Sequence, residues 1–168
     1  MTDSKRLTIL KTLSSMLQEI TEENGYENTV ASVVRGQVNI SAAEVSLPFI
    51  SLLEPVDQNQ IGEYKFGGDY IELNNKWTLF IKGWAKDDLL NPTDPAHSLL
   101  ADVKKRLSTI MLEGHEDYCL LKSQKLITKI EVGSGVVSPT ESKNDKAFFL
   151  LRVDISLSED LVDPYRLT

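Results

Sequence analysis

Two segments of the chain carry apolar residues at every third or fourth position, and this spacing predicts two amphipathic helices. The first follows Ser4, which can accept a hydrogen bond as the N-cap residue, and stops by Gly25, because glycine readily ends a helix. Its predicted apolar face consists of Leu7, Leu10, Leu13, Leu17 and Ile20.

The second predicted helix has a stronger start signal. Asp94 is suited to the N-cap and Pro95 to the first helical position, where the missing N–H of proline costs nothing. The helix stops by Gly114, and Asp102 and Arg106 are spaced to form an ion pair on its surface. Its predicted apolar face consists of Leu99, Leu100, Val103, Leu107, Ile110 and Met111.

Alternating or β-branched residues predict the strands. Pro48 belongs at a sheet edge or a strand start because proline cannot donate a hydrogen bond to a neighbouring strand. Asn74 and Asn75 form a turn signal that favours a hairpin within the longest strand region. The predicted strands are 29–35, a strand from about Phe49, 71–83, 126–132 and 147–157.

The order of elements is helix, several strands, helix and two strands, in one domain of 168 residues. This order predicts an α+β fold, with a mixed, mostly antiparallel sheet and two main helices packed on one face. Residues 54–70 are expected to form a long polar loop or an irregular hairpin, and further long polar loops are expected at 85–93 and 133–146. Long loops in a compact domain often contact partners, although tolerated insertions would look the same in the sequence.

Composition narrows the classes of function. The formal net charge of -7 argues against sequence-independent coating of nucleic acid, whose phosphates are also negative. The single Cys119, with His97 and His115, is too few ligands for a structural zinc site. No apolar run approaches the roughly 20 residues needed to span a bilayer, so we expect no membrane association and a protein made in the cytoplasm.

Candidate catalytic chemistry is sparse. Neither a GxxxxGK[ST] loop nor a GxGxxG loop is present, and residues 133–135 are expected to form an ordinary turn. Cys119 is expected to be an inert core thiol. The acidic pairs 87–88, 116–117 and 159–160 and the basic run 104–106 are expected to be solvated charges. We therefore predict no catalytic residue, no metal site and no cofactor.

Several blocks in a fixed order give the chain a family resemblance. They are the N-terminal amphipathic helix ending near residues 25–26, VVRG at 33–36, the proline-containing strand at 47–53, WTLFIKGWAKDD at 77–88, NPTDPAHSLLADVKKRL at 91–107 and the closing apolar strand. In this order, and over residues 5–157, the chain resembles the tail terminator (tail completion) proteins of long-tailed bacteriophages. The blocks at 77–88 and 91–107 are the most distinctive.

The resemblance implies a structural virion protein rather than an enzyme. It implies a hexameric ring on the head-proximal end of the tail tube, which ends tube polymerisation and joins the tube to the head connector. DNA would pass through the ring lumen without specific binding, and acidic residues lining the lumen would repel it. The resemblance thus implies a location in the tail neck of the virion, after assembly in the host cytoplasm.

The contacts of such a ring are inferred from loop position. Loops 57–70 and 133–146 are expected to engage the tube or the connector, and the strand at Pro48 is expected to be an edge strand that adds to a neighbour's sheet. The candidate interface residues are Pro48, Glu63, Phe66, Trp84, Asp88, Lys143 and Asp145.

Two other classes of function stay open at this stage. A small metal-dependent phage nuclease could use the scattered acidic residues, and Mg²⁺-linked stabilisation with cleavage of nucleic acid would identify it. A monomeric adaptor could bind a single partner through the same loops. A solution mass would separate the adaptor from a ring that closes without its tube.

Overall fold

A computed structural model describes most of the chain. The described residues are 2–39, 45–55, 65–67, 70–86, 88–113, 126–139, 146–160 and 162–165. The helices are α1 (Lys5–Gln18) and α2 (Asp94–Glu113), with a short 3-10 helix at Glu22–Asn24. The strands are β1 (Ser32–Arg35), β2 (Phe49–Leu53), β3 (Lys65–Gly67), β4 (Tyr70–Trp84), β5 (Lys129–Val132), β6 (Val136–Ser138) and β7 (Phe148–Asp160).

The described strands form one seven-stranded sheet in the order β1-β2-β4-β7-β5, with β3 added to β4 and β6 added to β7. Only β1 and β2 are parallel. All other pairs are antiparallel, and the longest runs from Glu72 opposite Asp160 to Trp84 opposite Phe148. The predicted α+β class, with a mixed and mostly antiparallel sheet, is confirmed.

Both helices pack on the same face of the sheet, as predicted. Alternate residues of a strand point to opposite faces, so every second residue from Trp77 to Ile81 in β4 and from Phe149 to Leu157 in β7 enters the main core. Burying this apolar surface is the main force that holds the helices on the sheet. The sheet residues of this core include Ile50, Leu52, Trp77, Leu79, Ile81, Phe149, Leu151, Val153, Ile155 and Leu157.

Helix α1 begins as predicted, with the Ser4 hydroxyl accepting a hydrogen bond from the Leu7 amide. Most of its predicted apolar face is confirmed, because Leu10, Leu13, Leu17 and Ile20 are buried. Leu7 is 36% exposed instead, and Ile9 and Met16 extend the buried face. The helix ends at Gln18. Gly25 ends the following 3-10 helix instead, with a left-handed backbone (φ 82°) that glycine adopts without strain.

Helix α2 follows the predicted pattern closely, and its predicted apolar residues from Leu99 to Ile110 are buried. Asp94 is its first residue rather than its N-cap, and the preceding Thr93 carbonyl accepts hydrogen bonds from Ala96 and His97. The helix ends at Glu113, next to the expected stop at Gly114. Among the helices of the described ranges, none is long and apolar enough to cross a membrane.

The expected ion pair between Asp102 and Arg106 is wrong, because both side chains have partners far away in the sequence. The buried Asp102 carboxylate accepts hydrogen bonds from the Glu27 amide (3.3 Å), the Asn28 amide (2.9 Å) and the Asn28 side chain (2.8 Å). Arg106 pairs with Glu19 and donates to the Met16 carbonyl at 3.0 Å.

The basic run at 104–106 is partly solvated, with Lys105 exposed, and it also contacts an acidic neighbour, since Arg106 pairs with Glu19. Lys105 donates to the Gly25 carbonyl at 2.6 Å and lies over the Tyr26 ring, and Lys104 donates to the Ser134 carbonyl. These contacts bind the segment after α1 and the segment after β5 to α2. The cations of this run thus stabilise the fold.

Strand pairing extends into two of the predicted loop regions, and for 54–70 the described strands fit the hairpin alternative. The expected hairpin at Asn74 and Asn75 is absent from the described residues: β4 is continuous there, since β7 pairs with it on that stretch. The hairpin in this region is formed by β3 and β4. Strand β3 and the start of β4 shorten the loop predicted at 54–70, and β6 lies inside the loop predicted at 133–146.

Candidate interaction surface

The sheet face opposite the helices is the open face. It carries the alternate residues of each strand, such as Thr78, Phe80, Lys82 and Trp84 of β4, and their cross-strand partners. Its apolar cluster contains no residue of α1 or α2. The open face changes in character along the strands, from a charged end through an apolar middle to a buried apolar end.

The charged end is a network of cross-strand ion pairs. Asp154 of β7 accepts hydrogen bonds from the Thr78 hydroxyl (2.5 Å) and the Arg152 Nε (3.1 Å). Lys76 Nζ lies 3.4 Å from Asp154 Oδ2 and 3.2 Å from Glu131 Oε2. These contacts cross β4, β7 and β5, so they fix the register of the three strands on this face.

The network shifts the pKa values of its members. Burial raises the pKa of Asp154, but the Thr78 hydroxyl and the Arg152 guanidinium favour the carboxylate more, so the pKa is lowered overall. Hydrogen bonds from Lys129 and Lys76 lower the pKa of Glu131. The hydrogen bond to Glu131, together with the charge of Asp154, raises the pKa of Lys76. All three groups are therefore charged at neutral pH.

The lowered pKa of Asp154 predicts a loss of stability in acid. Its contribution is complete above the pKa of an unfolded aspartate, about 3.9, and is lost as the pH falls through the lower folded-state value. We expect Asp154→Asn to reduce the free energy of unfolding by about 1 kcal/mol at neutral pH. The variant should also show a smaller further loss below about pH 3.9 than the parent protein.

Denaturant unfolding across this pH range measures the effect. Asp163→Asn, in the exposed C-terminal turn, is the matched control because it removes the same charge away from the network. Parallel pH profiles for the parent and Asp154→Asn would contradict the prediction.

The buried end of the open face is a small second core. Phe49 and Trp84 lie opposite each other with ring centroids 5.5 Å apart, and Lys82 Nζ lies 4.8 Å from the Trp84 ring centroid and 4.3 Å from that of Phe148. Among the described residues, Ser51 Oγ and Trp84 Nε1 are buried without a hydrogen-bond partner. The cluster is completed by Val34, Val45, Leu47 and Phe148.

Four apolar residues in the middle of the open face are not fully buried, and they are called the apolar patch. Leu53 lies opposite Phe80, and Leu150 lies opposite Val136, which is 63% exposed. Leu53, Phe80 and Leu150 are half-buried. Two cations border the patch: Arg152 lies opposite Phe80, and Lys82 lies opposite Leu150. Both cations have partners: Arg152 pairs with Asp154, and Lys82 donates a hydrogen bond to the Val38 carbonyl.

The two sides of the sheet present different edges. Among the described strands, β1 pairs only with β2, and β5 and β6 pair only with β7.

The prediction that the strand at Pro48 is an edge strand is wrong. Pro48 is buried, precedes β2 after a cis peptide bond, and β2 lies between β1 and β4. Proline is tolerated there because it stands at the strand start, and β1 takes the edge.

The turn between β4 and α2 exposes two adjacent leucines. Leu89 is 97% exposed and Leu90 is 89% exposed. Asp88 Oδ1 fixes the turn by accepting hydrogen bonds from the amides of Leu90 (2.8 Å) and Asn91 (2.9 Å). The hydrogen bonds from Asn91 and Leu90 lower the pKa of Asp88, so its carboxylate is charged at neutral pH. This segment, residues 88–91, is called the leucine turn.

The candidate interface residues lie in separate places. Trp84, a predicted interface residue, is fully buried and packs against Phe49, so it presents no surface to a partner. Asp88 supports the leucine turn, and Phe66 lies in β3 opposite Ile71. Lys143 and the other two predicted residues, Glu63 and Asp145, lie outside the described residues.

Sequence reasoning missed the leucine turn. The available signal was a pair of leucines in a polar loop, preceded by two aspartates and followed by Asn-Pro. Consecutive apolar residues in such a loop have no neighbouring strand or helix residue to share a buried face with. They are therefore a recognisable sign of exposed apolar surface.

Acidic residues of the described ranges are engaged in ion pairs and turns and form no metal cluster. In the described ranges, no three His, Cys, Asp or Glu residues form a group that could hold a metal ion. Glu159 pairs with Arg6 at 2.9 Å, and Asp160 accepts hydrogen bonds from the amides of the C-terminal turn. Cys119, His115 and the acidic pair 116–117 lie outside the described residues.

Comparisons with known proteins give no family: no family model matches the chain, and no curated protein sequence is significantly similar to it. The surfaces that the fold offers to partners are the open face, the two sheet edges and the leucine turn.

Proposed function

We propose that this chain is a tail terminator of a long-tailed bacteriophage. Six copies would form a ring on the head-proximal end of the tail tube, end its polymerisation and join it to the head connector. The two most distinctive blocks of the resemblance, 77–88 and 91–107, occupy one continuous unit of the fold: β4, the leucine turn and most of α2. The two blocks are therefore neighbours in the folded chain.

The observation that carries the proposal is the pair of unlike edges on one sheet. A closed ring needs a heterologous interface, in which one surface of each protomer meets a different surface of the next. Strand β1 offers one edge, and β5 with β6 offers the other, on the opposite side of the sheet. Pairing of one edge with the same edge of another copy would instead give a two-fold dimer.

The charge of the chain fits a conduit for DNA. The formal net charge of -7 gives a protein surface that repels phosphate on average, so DNA would pass through the lumen without being held. In this proposal the protein acts through shape and association, without catalysis. It would reside in the tail neck of the virion after assembly in the host cytoplasm.

Disruption of the gene in a phage that encodes this chain tests the proposal. We expect tails longer than normal that fail to join heads, and restored tails when the intact chain is supplied from a plasmid. Electron microscopy of lysates measures tail length and joining. Tails of normal length on infectious particles would refute the proposal, and Mg²⁺-dependent cleavage of DNA by the purified chain would favour a nuclease instead.

A further inference from the structure

We infer that Asn24 is a latent deamidation site, whose side-chain amide is lost only when the segment between α1 and β1 opens locally. Asn24 is the last residue of the 3-10 helix, and Gly25 is its cap. Both residues are exposed. No other asparagine of the chain is followed by glycine. The site is independent of the proposed function.

An Asn-Gly pair can modify itself with water as the only co-reactant. The Gly25 amide gives up its proton, its nitrogen forms a bond to Asn24 Cγ, and the side-chain nitrogen leaves as ammonia. Water then opens the cyclic succinimide at either carbonyl, which gives aspartate or isoaspartate. Asparagine is thermolabile in this way, and glycine as the next residue favours the attack because it has no Cβ to hinder it.

The fold holds both reacting groups in hydrogen bonds. The Gly25 amide donates to the Glu22 carbonyl at 3.0 Å, and Asn24 Nδ2 donates to the Glu19 carbonyl at 2.8 Å. The backbone amide of Asn24 donates to the Thr21 carbonyl at 3.0 Å. Attack requires a free Gly25 nitrogen and a rotated Asn24 side chain, so these bonds must break first. The rate of deamidation should therefore follow the population of the locally open segment.

Helix α2 controls this opening through Lys105. Its Nζ donates to the Gly25 carbonyl at 2.6 Å and lies 4.9 Å from the centroid of the Tyr26 ring. Asp102, one turn earlier on α2, accepts hydrogen bonds from the backbone and the side chain of Asn28. The helix thus clamps the residues directly after the reacting pair. Lys105 is exposed, so its replacement removes one clamp without disturbing the core.

The modified segment should close less well than the parent segment. A carboxylate in place of the Asn24 amide cannot donate, so the Glu19 carbonyl loses the hydrogen bond that it accepts now. The new negative charge also follows Glu22 and Glu23 directly in the chain, and like charges repel. Deamidation would therefore turn a transient local opening into a permanent loosening of this segment.

Peptide mass spectrometry of chains kept in mildly alkaline buffer tests the site. We expect slow deamidation of Asn24 in the folded parent and fast deamidation in denaturant. Lys105→Met should raise the rate in the folded chain at least about fivefold, the factor that corresponds to one hydrogen bond of ordinary net strength. Lys86→Met removes the same charge at an exposed position away from the segment and should leave the rate unchanged. Asn24→Gln should remove the modification from this peptide.

A variant with lower global stability separates local from global opening. Asp154→Asn weakens the sheet without touching the segment, so its rate at Asn24 should equal that of the parent. Circular dichroism checks that each variant is folded. An unchanged rate in Lys105→Met would overturn the inference. Acceleration by Asp154→Asn as large as that by Lys105→Met, or a folded parent that reacts as fast as the denatured chain, would also overturn it.

Discussion

Replacing Gly83 with alanine is expected to reduce the free energy of unfolding by about 3 kcal/mol, because the core has no room for the added methyl group. A Cβ at this position would lie 2.2 Å from Phe149 Cε1 and 2.6 Å from Phe149 Cζ. Phe149 is fully buried in the main core and faces Gly83 directly across β4 and β7. The ring must therefore move into closely packed neighbours.

Two controls separate this clash from a general effect of alanine. Gly36→Ala meets no atom within 4 Å, although its left-handed backbone (φ 78°) gives a cost of about 1 kcal/mol. The double variant Gly83→Ala with Phe149→Leu should lose less free energy of unfolding than the sum of the two single variants, because the smaller leucine side chain leaves room for the added methyl group. Denaturant unfolding measures all four variants. A cost below that of Gly36→Ala would contradict the prediction.

Replacing Asp102 with alanine is the second large effect that we expect, again about 3 kcal/mol. The carboxylate is 4% exposed and accepts three hydrogen bonds from Glu27 and Asn28. Its removal leaves buried donors without an acceptor, and each such donor carries a desolvation penalty. The segment after the 3-10 helix should then separate from α2.

Hydrogen exchange gives this prediction a local readout. The amides of Glu27 and Asn28 should exchange faster in Asp102→Ala, whereas amides in the centre of β4 should change only with global stability. Asn28→Ala is a useful control because it removes one of the three hydrogen bonds, together with its contact to Ser98. It should destabilise less than Asp102→Ala. Equal protection of both amides in the parent and Asp102→Ala would contradict the assigned role.

The same two sites show what local sequence patterns could not reveal. Gly83 belongs to a predicted strand, but its need for glycine comes from Phe149, which lies 66 positions later in the chain and meets it only in the sheet. Asp102 was expected to pair with Arg106 because helical spacing brings them together. The tertiary fold offers Asp102 three N–H donors, and these outweigh one exposed ion pair.

The candidate surface was predictable only in part. The sequence indicates long loops and an acidic segment before α2. Asp88, which lies in that segment, is therefore predictable as a candidate interface residue. It also indicates that the outer face of the last strand changes from apolar to polar residues, which the half-buried Leu150 and the exposed Arg152 bear out. Trp84 is an interface candidate in the sequence, but the structure buries it. Phe49 and Phe148 bury it from neighbouring strands.

By itself, the sequence determined the local structure and the class of fold. The spacing of apolar residues in α2 and their alternation in β7 can be read from short segments, because each pattern shows which side chains of that one element are buried. The tertiary structure alone decided which strand forms the edge, that Asn74 and Asn75 continue a strand, and which partners the charges of α2 bind. Those outcomes depend on residues far apart in the chain, whose pairing becomes favourable only when the whole core is buried.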